Sequence, residues 1–205
     1  ADIRIVSEDP FELAFAGRTE RIDWPLPGAH NRANAAGAAA AAYAAGIDAD
    51  AIVAGLAAVR PIDGRLCRRP GPGGSIVFDD SYNANPGSFA AAFAVLAEAA
   101  PRRWAVVGEM GELGDDTESA HRELGERARA AGIERLWAFG PSRERTCEAF
   151  GAGAEPVEDL DALAASLRGR LDADTALLVK GSRGNRLERL VAALAEGAEE
   201  GRHAV

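Results

Sequence analysis

The sequence predicts an α/β protein in which a mostly parallel sheet carries helices on both faces. Three observations predict it. Beyond Arg60-Pro61, five apolar runs of strand length alternate with helical segments. A Gly-, Pro- and Arg-rich stretch, residues 61–74, separates them from a shorter leading part with a different pattern. Hydrophobic residues make up 47% of the 205, enough to bury a true core. Such βαβα alternation calls for parallel strands covered by their crossover helices, a Rossmann-like layering.

In the leading part, two extended stretches are expected at Ile3–Val6 and Phe11–Ala16, with Gly17 as a turn, and a third at Glu20–Trp24. Helices follow at Gly28–Gly46 and Asp50–Val59, the second capped by Asp48 or Asp50. A hairpin and two small helices make a poor independent core, so residues 1–60 read as the tail of a larger domain. In residues 61–205, strands are expected at Ser75–Asp79, Trp104–Val107, Arg135–Phe139, Glu155–Val157 and Ala176–Val179, with an added one around Arg65–Arg68. The intervening helices fall near Pro86–Ala99, Thr117–Ala131, Ser142–Phe150 and Leu160–Leu171, with a last one at about Asn185–Ala195.

Composition narrows the function. A net charge of -9 argues against nucleic acid or an acidic membrane as partner. No run approaches the roughly 20 apolar residues of a spanning helix. Cys67 and Cys147 stand alone, without CxxC or a Cys/His cluster, and read as thiols of a reducing, cytoplasmic compartment; no metal site is expected in the chain. His121 and His203 are expected on the surface. The chain opens on Ala1 without Met, so a longer natural protein is expected.

Of 23 basic residues only Lys180 is lysine, and there is no Gln and few Asn. In a chain so biased toward Arg, a retained Lys marks a place where a compact ammonium serves and a planar guanidinium does not. Three segments gather such retained residues. In Asp79-Asp80-Ser81-Tyr82-Asn83-Ala84-Asn85-Pro86, a strand ends on two acids and a helix opens at Asn85-Pro86. Punctuation explains Pro86 and, as readily as function does, Asn85; Asp80 and Asn83 are left as candidates, Asp80 to accept from ribose hydroxyls or a substrate ammonium. In Lys180-Gly181-Ser182-Arg183-Gly184, a strand gives way to a Gly-flanked turn suited to an anion, with Lys180 as point charge and Arg183 as carboxylate clamp. There Lys180 is expected to face the cleft. In Gly28-Ala29-His30-Asn31-Arg32-Ala33-Asn34, His30 and Asn34 share one helix face, and either capping or an adenine edge explains them. Arg65 and the loop Gly108-Glu109-Met110-Gly111-Glu112-Leu113-Gly114 are weaker signals, and no GxxxxGK[ST] phosphate loop is present.

In this order GAHNRAN, PIDGRL, DDSYNANP, VGEMGELG and LLVKGSRG resemble the Mur ligases over essentially the whole chain, and DSYNANP and KGSRG resemble the branch acting on D-alanyl-D-alanine. The resemblance implies that residues 1–60 end a central ATP-binding domain and residues 61–205 form the closing domain. It implies ATP with Mg2+ as cofactors, the metal ligands lying outside this chain, and UDP-MurNAc-tripeptide and D-Ala-D-Ala as substrates. The terminal carboxylate is phosphorylated and then attacked by the dipeptide amine. By position, His30, Asn31 and Asn34 serve the adenine, and Arg65 and Asp80 the ribose and phosphates. Asn83, Asn85, Lys180, Ser182 and Arg183 line the dipeptide or acyl-phosphate region, with Lys180 and Asp80 closest to the chemistry. Glu109 stands where the family often has Asp. Without the phosphate loop and the metal, the chain is expected to be inactive alone. The rival readings are a non-catalytic nucleotide- or peptide-binding module and a related ligase with another acceptor, such as a folylpolyglutamate synthase type.

Overall fold

A computed structural model describes residues 3–15 and 17–200. The chain divides into two compact units, residues 1–61 and 62–205.

The first unit is an antiparallel sheet with two helices. Strands β1 (Ile3–Glu8), β2 (Phe11–Phe15) and β3 (Arg18–Arg21) pair in sequence order. The alternation of β2 turns Phe11, Leu13 and Phe15 inward, onto Ala35 and Ala39 of α1 (Ala29–Ala44) and Ile52 and Leu56 of α2 (Ala49–Ala57). Asp48 caps α2, its carboxylate accepting from the Asp50 amide. The third strand begins two residues earlier than expected and stops at Arg21, opposite Glu12. Ala16, the expected end of β2, lies outside the described residues, as does His203.

The second unit is a six-stranded sheet in the order β4-β5-β9-β6-β7-β8. Its strands are β4 (Cys67–Pro70), β5 (Ile76–Asp80), β6 (Arg102–Val107), β7 (Arg135–Phe139), β8 (Ala154–Val157) and β9 (Thr175–Lys180). Only β4 runs antiparallel, along the β5 edge. It starts later than the expected Arg65–Arg68, because Leu66 is left-handed (φ 53°) and the Arg65 amide closes a turn onto the Ile62 carbonyl. The chain becomes extended only at Cys67.

Helices α3 (Pro86–Ala97), α4 (Thr117–Ala130) and α5 (Arg143–Phe150) cover one face, meeting Phe78, Ala105, Val107, Leu136 and Leu178. Helices α6 (Leu160–Arg168) and α7 (Glu188–Glu200) cover the other, over Val77, Trp104, Val106, Leu177 and Val179. The connections step outward from β5 through β6 and β7 to β8, then return to β9 in the middle, and this reversal switches the covered face. With a strand on either side and a helical layer above and below, all six residues of β9 are buried. That is why it reads as an unbroken run. Ligands bind in such sheets beyond the strand carboxyl ends at the point of reversal, here the ends of β5, β9 and β6.

Candidate functional site

The three strand ends are in register. Asp80 pairs with Lys180 across β5 and β9, and Lys180 with Val107 across β9 and β6. Lys180 is therefore the last residue of the central strand, and the loop from Ser81 to Asn85 folds over it. Its side chain is 1% exposed. Nζ donates to an Asp80 carboxylate oxygen at 2.6 Å and to the Asn83 carbonyl at 2.9 Å, and lies 5.3 Å from the Phe89 ring centroid. Sequence reasoning turned Lys180 toward a cleft; the structure encloses it, and the anion it meets here is the Asp80 carboxylate. Burial pushes its pKa below the ordinary lysine value, Asp80 pulls it back up, and the nearby Arg65 charge adds to the lowering.

Asp80 remains 15% exposed. One of its oxygens takes Lys180 and the other the Leu66 amide at 3.0 Å. Its neighbour Asp79 is structural. The buried carboxylate accepts from the Ser81 hydroxyl (2.6 Å), the Gly64 amide (3.2 Å) and Arg69 Nε (3.3 Å), tying the 62–66 turn to the end of β5. Asn83 is exposed, its Oδ1 accepting from the Ala84 amide. Asn85 forms a capping box with Ser88 at the start of α3, in line with punctuation.

Beyond β9, the Ser182 amide donates to the Glu109 carbonyl, and Ser182 Oγ accepts from the Gly111 amide at 2.8 Å. Arg183 is exposed. Tyr82, Asn83, Asn85, Ser182 and Arg183 share one cavity of about 450 Å³, closed on a third side by Gly111, Glu112 and Leu113. A second, of about 420 Å³, lies against Asp63, Arg69, Glu188 and α7, and Tyr82 and Arg183 line both.

The structure thus brings Arg65, Asp80, Asn83, Asn85, Lys180, Ser182 and Arg183 to one end of one sheet. His30, Asn31 and Asn34 belong to the first unit, at the start of α1, where Asn31 Nδ2 donates to the Pro27 carbonyl at 2.7 Å. Sequence reasoning missed the braces that hold the loop after β6. Asn185 accepts from the Glu109 amide and donates to the Glu109 and Ser182 carbonyls, stitching that loop to the β9 turn. The Glu109 carboxylate is taken by the Ser142 hydroxyl (2.7 Å) and amide (2.9 Å) at the start of α5. His121, expected on the surface, is 2% exposed, Nε2 accepting from the Met110 amide and Nδ1 donating to the Thr117 carbonyl. Its place on the inner face of α4 makes it a core histidine. Asn185 carried a signal, being one of few Asn in the chain.

The sequence pattern described as "Mur ligase, glutamate ligase domain" matches residues 64–183, and the chain belongs to the Mur ligase family. Within it the chain is MurF-like, carrying the family's carboxy-terminal domain. The UDP-N-acetylmuramoyl-tripeptide–D-alanyl-D-alanine ligase of Escherichia coli is 44% identical over 174 residues, covering 84% of this chain and 38% of that protein. A crystal structure of MurF from Acinetobacter baumannii superposes with a TM-score of 0.80 at 29% identity, over 96% of this chain and 44% of the other. MurF from Thermotoga maritima in complex with ADP gives 0.78 at 26%, over 93% and 44%. The chain therefore spans about two fifths of the relatives it matches.

Proposed function

We propose that the chain is the carboxy-terminal part of an ATP-dependent ligase of peptidoglycan precursor synthesis, joining D-Ala-D-Ala to UDP-MurNAc-tripeptide through an acyl phosphate. The observation that carries this reading is the meeting of the DSYNANP loop and the KGSRG turn at the reversal point of the sheet, Asp80 and Lys180 joined at 2.6 Å. Residues 1–60 are then the tail of the central ATP-binding domain, residues 61–205 the closing domain, and the cytoplasm the site of action.

When bound, ATP supplies the phosphoryl group that activates the tripeptide carboxylate. The residues present fit a nucleotide. A carboxylate has about four lone-pair sites, and Asp80 has committed one on each oxygen, which leaves acceptors for ribose hydroxyls. Arg65 beside it serves the phosphates. The family resemblance assigns Mg2+ to ligands outside this chain. Asn83, Asn85, Ser182 and Arg183 offer amides, a hydroxyl and a guanidinium to the dipeptide carboxylate or the acyl phosphate. Lys180 fixes Asp80 and the loop that carries Asn83. The chain's contribution is to orient the amine toward the activated carbonyl as the domain closes.

Fusing this chain behind the amino-terminal portion of the E. coli ligase tests the proposal. ADP release should require both UDP-MurNAc-tripeptide and D-Ala-D-Ala, and the chain alone should release none. A folded fusion that binds nucleotide yet shows no dipeptide-dependent release contradicts it.

A further inference from the structure

Tyr82 is a large aromatic side chain left 41% exposed in a loop whose other apolar member, Ala84, is buried. The Arg65 guanidinium carbon lies 4.5 Å from its ring centroid and that of Arg183 5.3 Å from the same centroid. The two cations are no farther apart than those distances laid end to end. Neither arginine takes part in any ion pair among the described residues. Of the carboxylates nearby, Asp63 and Asp79 are engaged with Arg69 and Asp80 with Lys180, while Glu112 and Glu188 line the two cavities that Arg183 lines without pairing to it. In a chain of net charge -9, this corner holds two guanidiniums without an ion-pair partner, both against one ring.

The arrangement is built from both sides. The Tyr82 amide donates to the Gly64 carbonyl at 3.0 Å. At Gly64 (φ 75°) a Cβ would come within 3.1 Å of Tyr82 Cβ, so glycine lets the backbone bearing Arg65 approach the ring. Arg183 is set by the β9 turn, which Asn185 and Glu109 brace. Among the described residues the Tyr82 hydroxyl has no hydrogen-bond partner, so the ring face is what both arginines use.

We propose that Tyr82 is a positioning residue whose ring holds Arg65 and Arg183 as one two-guanidinium clamp for a phosphate-bearing anion. An anion recruited by one arginine finds the other in place, which links the nucleotide side of the site to the side that receives the acceptor. The proposal rests on the ligase reading only for the source of the anion, a nucleotide diphosphate or an acyl phosphate.

Inorganic pyrophosphate stands for the first source and acetyl phosphate for the second. Each is titrated into the 205-residue chain while the side-chain Nε–Hε resonances of Arg65 and Arg183 are followed by NMR. At least one anion should move both resonances with a common Kd, and the one that does identifies the source. Tyr82→Ala and Tyr82→Leu should each weaken that Kd about five- to tenfold, while Tyr82→Phe stays within about twofold. The clamp is overturned if neither anion moves both arginines together. It also falls if Tyr82→Leu binds like the parent, or if Tyr82→Phe is as weak as Tyr82→Ala. A working clamp in a chain whose fusion makes no amide bond sinks the ligase reading alone; an active fusion with a Tyr82-independent Kd sinks the clamp alone.

Discussion

An ammonium shut away from water costs several kcal/mol unless its charge and its protons are met. At Lys180 both are met within the domain, by Asp80, the Asn83 carbonyl and the face of Phe89. Lys180→Ala would strand the Asp80 carboxylate and the Asn83 carbonyl and open a void beside Phe89. It should lower the unfolding free energy by about 3 kcal/mol in urea titrations, and an unchanged midpoint would overturn the role assigned here. The rarity of lysine drew attention to this residue, but its partner could not be read. Whether a strand-end cation faces a cleft or a neighbouring loop depends on how residues 81–85 fold back, which no local pattern encodes. Cys67 is buried and Cys147 half-buried, and burial pushes the Cys147 pKa up to about 11 and that of Cys67 above its ordinary value.

Among the elements, α4 and α5 pack most closely at Gly125. A Cβ there would lie 2.3 Å from the Thr146 carbonyl oxygen and 2.8 Å from the Phe150 amide nitrogen. An Ala in a helix normally stabilises by about 1 kcal/mol over Gly. Gly125→Ala should instead destabilise by about 1–3 kcal/mol, because two backbones would have to part. Gly55, in α2, meets nothing within 4 Å and gives the contrast: Gly55→Ala should raise the thermal midpoint. If both substitutions stabilise, the close approach of α4 and α5 is wrong. The helices themselves were readable from caps and periodicity, as Asn85-Pro86 and Asp48 illustrate. Gly125 was not, since a helical glycine looks the same whether it faces solvent or a neighbouring backbone.

At the scale of the molecule, each unit closes its own core, Phe11, Leu13 and Phe15 anchoring the first and the two faces of the six-stranded sheet the second. The α/β class followed from the alternating runs. The central place of β9 did not, because strand order depends on which way each crossover turns, although its unalternating Thr175–Lys180 run marks a strand covered on all sides. That central place brings two distant motifs together, since it sets the β9 turn beside the loop after β5. If those motifs hold the acceptor together, Arg183 contacts the substrate and contributes little to the fold. The decisive measurement is kcat/KM for D-Ala-D-Ala in the fused ligase carrying Arg183→Ala. The expected result is a fall of about 10- to 100-fold, the worth of one charge-assisted contact, with an unchanged thermal midpoint. Parent-like kinetics would show that the turn after β9 does not belong to the substrate site.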